Sequence, residues 1–292
     1  MINEFLDMMA GVRGASDNTI ISYSHDLNEV NDFIKNPIET ATISDLENYI
    51  QNCTKRGLSA KTQARRVSSL RRYFRFLILE GVRKDNPAKS IDLPKIEKSL
   101  PKELSQNEIK NLLENCNSKP DGIRMRAMIE LLYASGLRIS ELLSLKLTSI
   151  INEKTALHIT GKGNKDRVVP FHETAQNALS DYLKVREFFT KKGQKSDFLF
   201  PSKKGTLIYS RSAFSKALKK HAVVCGISPS KISAHAFRHS FASHLLRNGA
   251  DLRSVQMLLG HEDLSTTEIY TNIMDDEMKE AVFKNHPLAK RD

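Results

Sequence analysis

Ser233-Ala234-His235-Ala236-Phe237-Arg238-His239-Ser240-Phe241-Ala242 is the stretch on which the reading of this 292-residue chain turns. At 3.6 residues per turn, Phe241 and Leu245 fall where a helix packs inward, while His235, Arg238 and His239 take neighbouring positions. Gly249 is placed to close the helix, since a helix end often needs the left-handed conformation that glycine adopts freely. Cationic and proton-sharing side chains grouped in this way suit a phosphate. Each histidine taken singly reads equally well as a core or surface residue.

Two further segments carry the same kind of ambiguity. Tyr133-Ala134-Ser135-Gly136-Leu137-Arg138-Ile139-Ser140-Glu141-Leu142 sets Arg138 and Glu141 three apart on one helix face. Alone, that pair reads as an exposed helix salt bridge, with Leu142, Leu143 and Leu145 in the core. In Leu258-Leu259-Gly260-His261-Glu262-Asp263-Leu264-Ser265-Thr266-Thr267-Glu268-Ile269-Tyr270-Thr271, Gly260 ends one helix and Ser265 with Glu268 caps the next. His261 then lies on the connection and Tyr270 early in the following helix. Between these segments Ala156 to Thr160 alternates like a strand, Gly161-Lys162-Gly163-Asn164-Lys165-Asp166 is turn chemistry, and Arg167 to Pro170 returns. The expectation is a single short hairpin with a lysine-rich tip in a domain otherwise helical.

Upstream the chain reads as helix after helix. Ile20, Tyr23, Leu27 and Val30 mark one face of a first helix, Asn18 to Phe33. Ser44 with Glu47 marks the start of a second, bearing Leu46 and Ile50. A third, from about Ser59 to Glu80, turns Val67, Leu70, Phe74 and Leu77 inward and carries Lys61, Arg65, Arg66, Arg71, Arg72 and Arg75 over its remaining surface. Few acids interleave those cations along the helix, which points to a phosphate-contacting face. Pro87, Pro94 and Pro101 then break the pattern into an extended linker, and Ser105 with Glu108 opens a new helix bearing Ile109, Leu112 and Leu113. The expected architecture is mainly α with a small β-sheet: a helical domain over residues 1–86, a linker over 87–103, and an α+β domain over 104–292 that ends in an interaction segment.

Composition agrees without deciding. Lys and Arg number 45 against 34 Asp and Glu, a formal net charge of +11 that favours a polyanionic partner through counterion release. Cys53, Cys116 and Cys225 are odd in number and far apart, so neither a disulfide framework nor a metal-ligand spacing is expected. They read as small buried apolar residues of a protein kept in a reducing cytoplasm. No basic-then-apolar leader opens the chain, and no apolar run approaches a bilayer span.

Gly136-Leu137-Arg138-Ile139-Ser140-Glu141-Leu142, the Gly161-Lys162-Gly163-Asn164-Lys165 hairpin, His235-Ala236-Phe237-Arg238-His239, and Leu259-Gly260-His261 through Tyr270-Thr271 together resemble, in order and spacing, the signatures of the tyrosine recombinase (phage integrase) family. The N-terminal helices resemble that family's SAM-like core-binding domain, a more generic match. The resemblance implies Arg138 and Arg238 as a clamp on the scissile phosphate, Lys162 as general acid to the leaving 5′-oxygen, and His235 and His261 as two further active-site groups. It implies Tyr270 as the nucleophile and Glu141 as a brace for Arg138. Lys61, Arg65, Arg66, Arg71 and Arg72 are expected on DNA. No cofactor and no metal are implied, and the missing P-loop fits a reaction that stores the broken bond as a phosphotyrosine ester.

The size of the chain is similar to the bacterial Xer group. That likeness implies double-stranded DNA, a homo- or hetero-tetrameric synaptic complex with a sister recombinase, and activation by a septal DNA translocase. It also implies a C-terminal segment, after Tyr270, that packs on a neighbouring protomer. The alternatives are a minimal plasmid or phage integrase, a type IB topoisomerase, a non-catalytic DNA-binding protein on the same scaffold, and a metal nuclease using His235, His239 and His261.

Overall fold

The computed structural model describes residues 1–11, 14–92, 103–151, 155–160, 166–190, 195–202, 205–260 and 281–289. The chain divides into two units, Met1–Ser99 and Leu100–Asp292, each with its own hydrophobic core.

In the first unit α1 (Ile2–Gly11), α2 (Asp17–Ile34), α3 (Ile43–Lys55) and α4 (Ala60–Leu79) bury one apolar face each. Tyr23, Leu27 and Val30 of α2 and Val67, Leu70, Phe74 and Leu77 of α4 meet inside, at the spacing the sequence predicts. The start of α3 differs from the expectation by two residues. Its capping box is Thr42 with Asp45, not Ser44 with Glu47: the Thr42 hydroxyl accepts from the Asp45 backbone N–H while the Asp45 carboxylate accepts from Thr42 N. Residues 87–91, expected as the start of the linker, pack onto this unit. Ala88 and Ile91 are buried, and the Arg71 guanidinium donates to the carbonyls of Ala88, Lys89 and Ile91 at 2.8 to 3.3 Å.

The second unit is built around α6 (Pro120–Ser135), whose side chains are buried almost all round. A helix apolar on every side has to lie inside, and α6 runs between α8 (Glu173–Val185) and α10 (Ala234–Arg247). Around it stand α5 (Gln106–Glu114), opened by the expected Ser105–Glu108 capping box, α7 (Ile139–Ser144), α9 (Arg211–Val224) and α11 (Leu252–Leu259). Strands β1 (Ile150–Ile151), β2 (Ala156–Thr160) and β3 (Asp166–Pro170) form an antiparallel sheet in which Leu157 faces Val169 and Thr160 faces Asp166. A second sheet, β4 (Pro201–Ser202) with β5 (Gly205–Ile208), corrects the expectation of one. Strands this short are below the length at which alternation is readable.

Residues 281–289 pack on the same unit: Ala281 and Val282 join its core, and Asn248 donates to Asn285 O at 2.7 Å. His286 is fully buried, its Nδ1 accepting from Leu288 N at 3.2 Å, which leaves Nε2–H to donate to Tyr133 O at 3.0 Å. Within the chain, residues 281–289 are thus seated on their own unit. Cys53 is buried as expected. Cys116 and Cys225 are only half-buried, and both face His221 Nε2, at 3.5 and 3.8 Å. Among the described residues no helix is long and apolar enough to cross a membrane.

Candidate active site

Gly136 ends α6 in the left-handed conformation, φ +58°, and a Cβ there would sit 2.5 Å from the Phe241 ring. Only glycine permits both the turn and the close approach of α10. The turn delivers Arg138 to the cap of α7 and sets Glu141 in its first turn. Glu141 Oε2 accepts from the Arg138 backbone N–H at 2.8 Å, and Oε1 accepts from Arg138 Nη1 at 3.0 Å. The exposed salt bridge expected here is instead a half-buried one: the Glu141 side chain is 6% exposed while Arg138 keeps 38%. Burial pushes the Glu141 carboxyl up, but hydrogen bonds from Arg167 and from the Arg138 backbone and side chain outweigh it, so the group stays ionised below the ordinary glutamate range.

On α10, Ser233 accepts from Ala236 N and starts the helix, which places His235 and His239 at the surface and Arg238 inside. Arg238 donates from Nη1 to Gly136 O at 2.7 Å and from Nη2 to Leu259 O at 2.6 Å. One guanidinium therefore ties the turn before Arg138 to the end of α11, and its planar fork keeps further N–H donors beyond those two bonds. Burial first, then the neighbouring charges of Arg138 and Arg167, bring its pKa down to about 10, still protonated at neutral pH. The turn before Arg138, Arg238 of α10 and the end of α11 are thus gathered at one place.

α11 ends at Gly260, φ +66°, as its sequence predicts. Lys162, His261 and Tyr270, the other three expected catalytic positions, lie outside the described residues; Lys162 falls between the paired strand ends Thr160 and Asp166, and His261 directly follows Gly260.

Sequence reasoning missed Arg167. It stands opposite Ile159 in the β2–β3 pair, on the same face as buried Ile159 and Val169, and makes a bidentate pair with Glu141 at 3.1 and 2.9 Å. The signal was available: strict alternation puts Arg167 on the inward face with Val169, and a charged residue there needs a partner.

The α4 arginines divide. Arg66 is buried: it donates to Glu29, to Tyr49 OH at 2.6 Å and to Cys53 Sγ at 3.2 Å, so its expected place on a surface face is corrected. Arg65 pairs with buried Asp26, and Arg71 is held by carbonyls. The acids absent from α4 itself come from α2, across the helix pair. Lys61, Arg72 and Arg75 remain exposed, Arg72 lying over the Tyr23 ring.

The chain belongs to the phage integrase family, whose profile matches residues 102–277; the family's N-terminal SAM-like domain matches residues 2–81. It is a site-specific tyrosine recombinase, an enzyme that breaks and rejoins DNA through a covalent intermediate. Within the family it is similar to tyrosine recombinase XerD of Rickettsia bellii, 42% identical over 99% of both chains. XerD of Caulobacter vibrioides is 41% identical over 98% of this chain and 96% of its own. Among solved structures, the XerH site-specific recombinase bound to its difH substrate in a pre-cleavage complex is 25% identical, with TM-score 0.66, over 94% of this chain and 83% of that one.

Proposed function

We propose that this recombinase works as an XerD-type enzyme, resolving chromosome dimers at a replication-terminus site before division, with Tyr270 as nucleophile. Arg138 and Arg238 hold the non-bridging oxygens of the scissile phosphate, where negative charge builds during attack and where planar guanidinium donors serve best. A phenol with an ordinary pKa near 10 needs help to lose its proton, and the nearby cations with a histidine, His235 or His261, supply it. Lys162 protonates the leaving 5′-oxygen, and the energy of the broken bond is kept in a 3′-phosphotyrosyl ester, so religation needs no nucleotide. Glu141 keeps Arg138 in place. The observation that carries this reading is Arg238 bonded at once to Gly136 O and Leu259 O, which draws the segments bearing Arg138 and His261 together.

The DNA partner is double-stranded, contacted in the N-terminal unit by Lys61, Arg72 and Arg75. The working assembly is a tetrameric synaptic complex with an XerC-like sister recombinase, activated by a septal DNA translocase in the cytoplasm. The XerD names of the relatives favour this over a minimal plasmid or phage integrase or a topoisomerase. A nicked duplex carrying the host's terminus site, incubated in chelator, tests the chemistry. Wild type should form a covalent adduct and Tyr270→Phe none; a metal-dependent cut that survives Tyr270→Phe would sink the reading.

A further inference from the structure

We propose that Arg167 is a positioning residue for DNA cleavage, locking the buried Glu141 carboxylate that aims Arg138 and lying across Gly260 at the head of the segment that carries His261. The inference rests on the reading of Arg138 as a phosphate clamp, and deepens it.

Glu141 has four donors around two oxygens: Arg167 Nη1 and Nη2 at 3.1 and 2.9 Å, Arg138 Nη1 at 3.0 Å and Arg138 N at 2.8 Å. With only its Arg138 contacts, the carboxylate would pivot about the first turn of α7, and the exposed guanidinium of Arg138 would pivot with it. The second fork removes that freedom, because a bidentate pair fixes the plane of the carboxylate as well as its distance. Arg167 is itself held. Its side chain is 13% exposed, and β3 sets it on the face shared with Val169. Its guanidinium lies so close to Gly260 that a Cβ there would meet Nη1 at 3.1 Å and Cζ at 3.3 Å. One side chain therefore connects three parts of the site: the strand that follows the Lys162 hairpin, the Arg138–Glu141 turn, and the end of α11. Both terminal nitrogens of Arg167 are given to Glu141, so the role assigned to it is positioning.

The test is a double-mutant cycle on single-turnover cleavage, using a nicked duplex with the host's terminus site at saturating protein. Arg167→Met is expected to slow adduct formation by on the order of 10- to 100-fold, the effect of a small misplacement of a reacting group, with DNA affinity within about threefold of wild type. In an Arg138→Ala background the same substitution should cost less than about threefold more, because the group it positions is gone. A duplex with a methylphosphonate at the scissile position carries one negative charge fewer for the clamp to hold, and there the Arg167→Met penalty should shrink in step with that of Arg138→Ala. Neither readout would move if Arg167 merely stabilised the fold. Should Arg167→Met fail to fold, Arg167→Lys keeps the charge while losing the fork, and is carried through the same cycle. Full additivity with Arg138→Ala, or cleavage at the wild-type rate, would overturn the proposal. A wild type that forms no adduct, or an Arg138→Ala variant that cleaves normally, would instead sink the reading of the site beneath it.

Discussion

Two knots of arginine and carboxylate, one in each unit, are alike in chemistry, and Arg66 of the first and Arg138 of the second are opposite in what they leave over. In the N-terminal unit Arg66 is 6% exposed and turns its guanidinium on Glu29, Tyr49 and Cys53, while Arg65, itself 42% exposed, covers Asp26, which is fully buried. In the catalytic unit Glu141 is as deeply set, but one of its two arginines, Arg138, stays 38% exposed with a single side-chain bond to it. Pairing with an acid therefore does not mark an arginine as structural, nor does membership of a cationic stripe mark it as functional. What separates the two is the number of donors left facing solvent after the fold has taken its share.

The sharpest way to break that comparison is to delete one arginine from each knot. Arg138→Ala leaves Glu141 still paired with Arg167, so stability should fall by less than about 1 kcal/mol, within the range of a surface ion pair. Cleavage should fall by about 10²- to 10³-fold, the usual cost of a lost donor to transition-state charge. Denaturant melts beside suicide-substrate kinetics would read both. A large stability loss with normal cleavage would erase the distinction.

Arg66→Ala should give the mirror image. Its removal leaves Asp26 and Glu29 short of positive charge in a buried setting, at a cost of about 3 kcal/mol. The loss should register as a lower urea midpoint. Cleavage measured well below the new melting temperature should stay within about threefold of wild type, since Arg66 presents no donor to DNA.

The knots also show how far the sequence was legible. Ser105–Glu108, the helix-ending glycines 249 and 260, and the inward faces of α2, α4 and α10 followed from local rules that the structure repeats. Thr42–Asp45 and Ser44–Glu47 both satisfy the capping rule, and local spacing had no means of choosing between two overlapping frames. Arg66 was read as surface because its acids sit on α2, a relation that one helix's own sequence does not contain. Arg167 was overlooked because its strand was read as part of a hairpin with a basic tip, although its inward register was already implied by Val169. The nearness of Arg138 to Glu141 and the shared turn of His235 and Arg238 on α10 were legible because each spacing is set within a single turn of helix.

A buried carboxyl oxygen to which no arginine donates sharpens the comparison further. Glu130, buried in α6, has an Oε2 without a partner among the described residues, and burial pushes its pKa up to about 7, against a lowering pull from Arg126. The folded state then holds this proton more tightly than the unfolded chain, so its contribution to stability declines as pH rises from about 4.5 through 7. Glu130→Gln removes the ionisation. The variant should gain on wild type progressively across that interval, by roughly 2–3 kcal/mol above pH 7. The difference between the two proteins is the quantity to follow. Buried His172, whose pKa burial lowers to about 4, gives both proteins the opposite slope, since an unfolded chain below pH 6.5 binds a proton that the folded one refuses. A pH-independent gap between wild type and Glu130→Gln would show that the carboxyl finds a charge partner after all.

The smallest effect belongs to the cations that neither knot has claimed. Lys61, Arg72 and Arg75 are exposed on α4, and if leftover donors are what count, these are the ones free to neutralise phosphates. Substituting all three by Gln should leave the unfolding midpoint nearly unchanged, since surface replacements of this kind stay within about 0.5 kcal/mol each. Binding of a terminus-site duplex should weaken, and its dependence on salt should flatten: each lost phosphate contact removes about 0.9 from the slope of log K against log salt, so three remove between 2 and 3. Random duplex DNA should show the same flattening, because contacts of this class position the backbone without reading bases. A salt slope that stays at the wild-type value would mean that α4 offers DNA no more than the buried arginines do, and that its stripe of charge belongs to the fold.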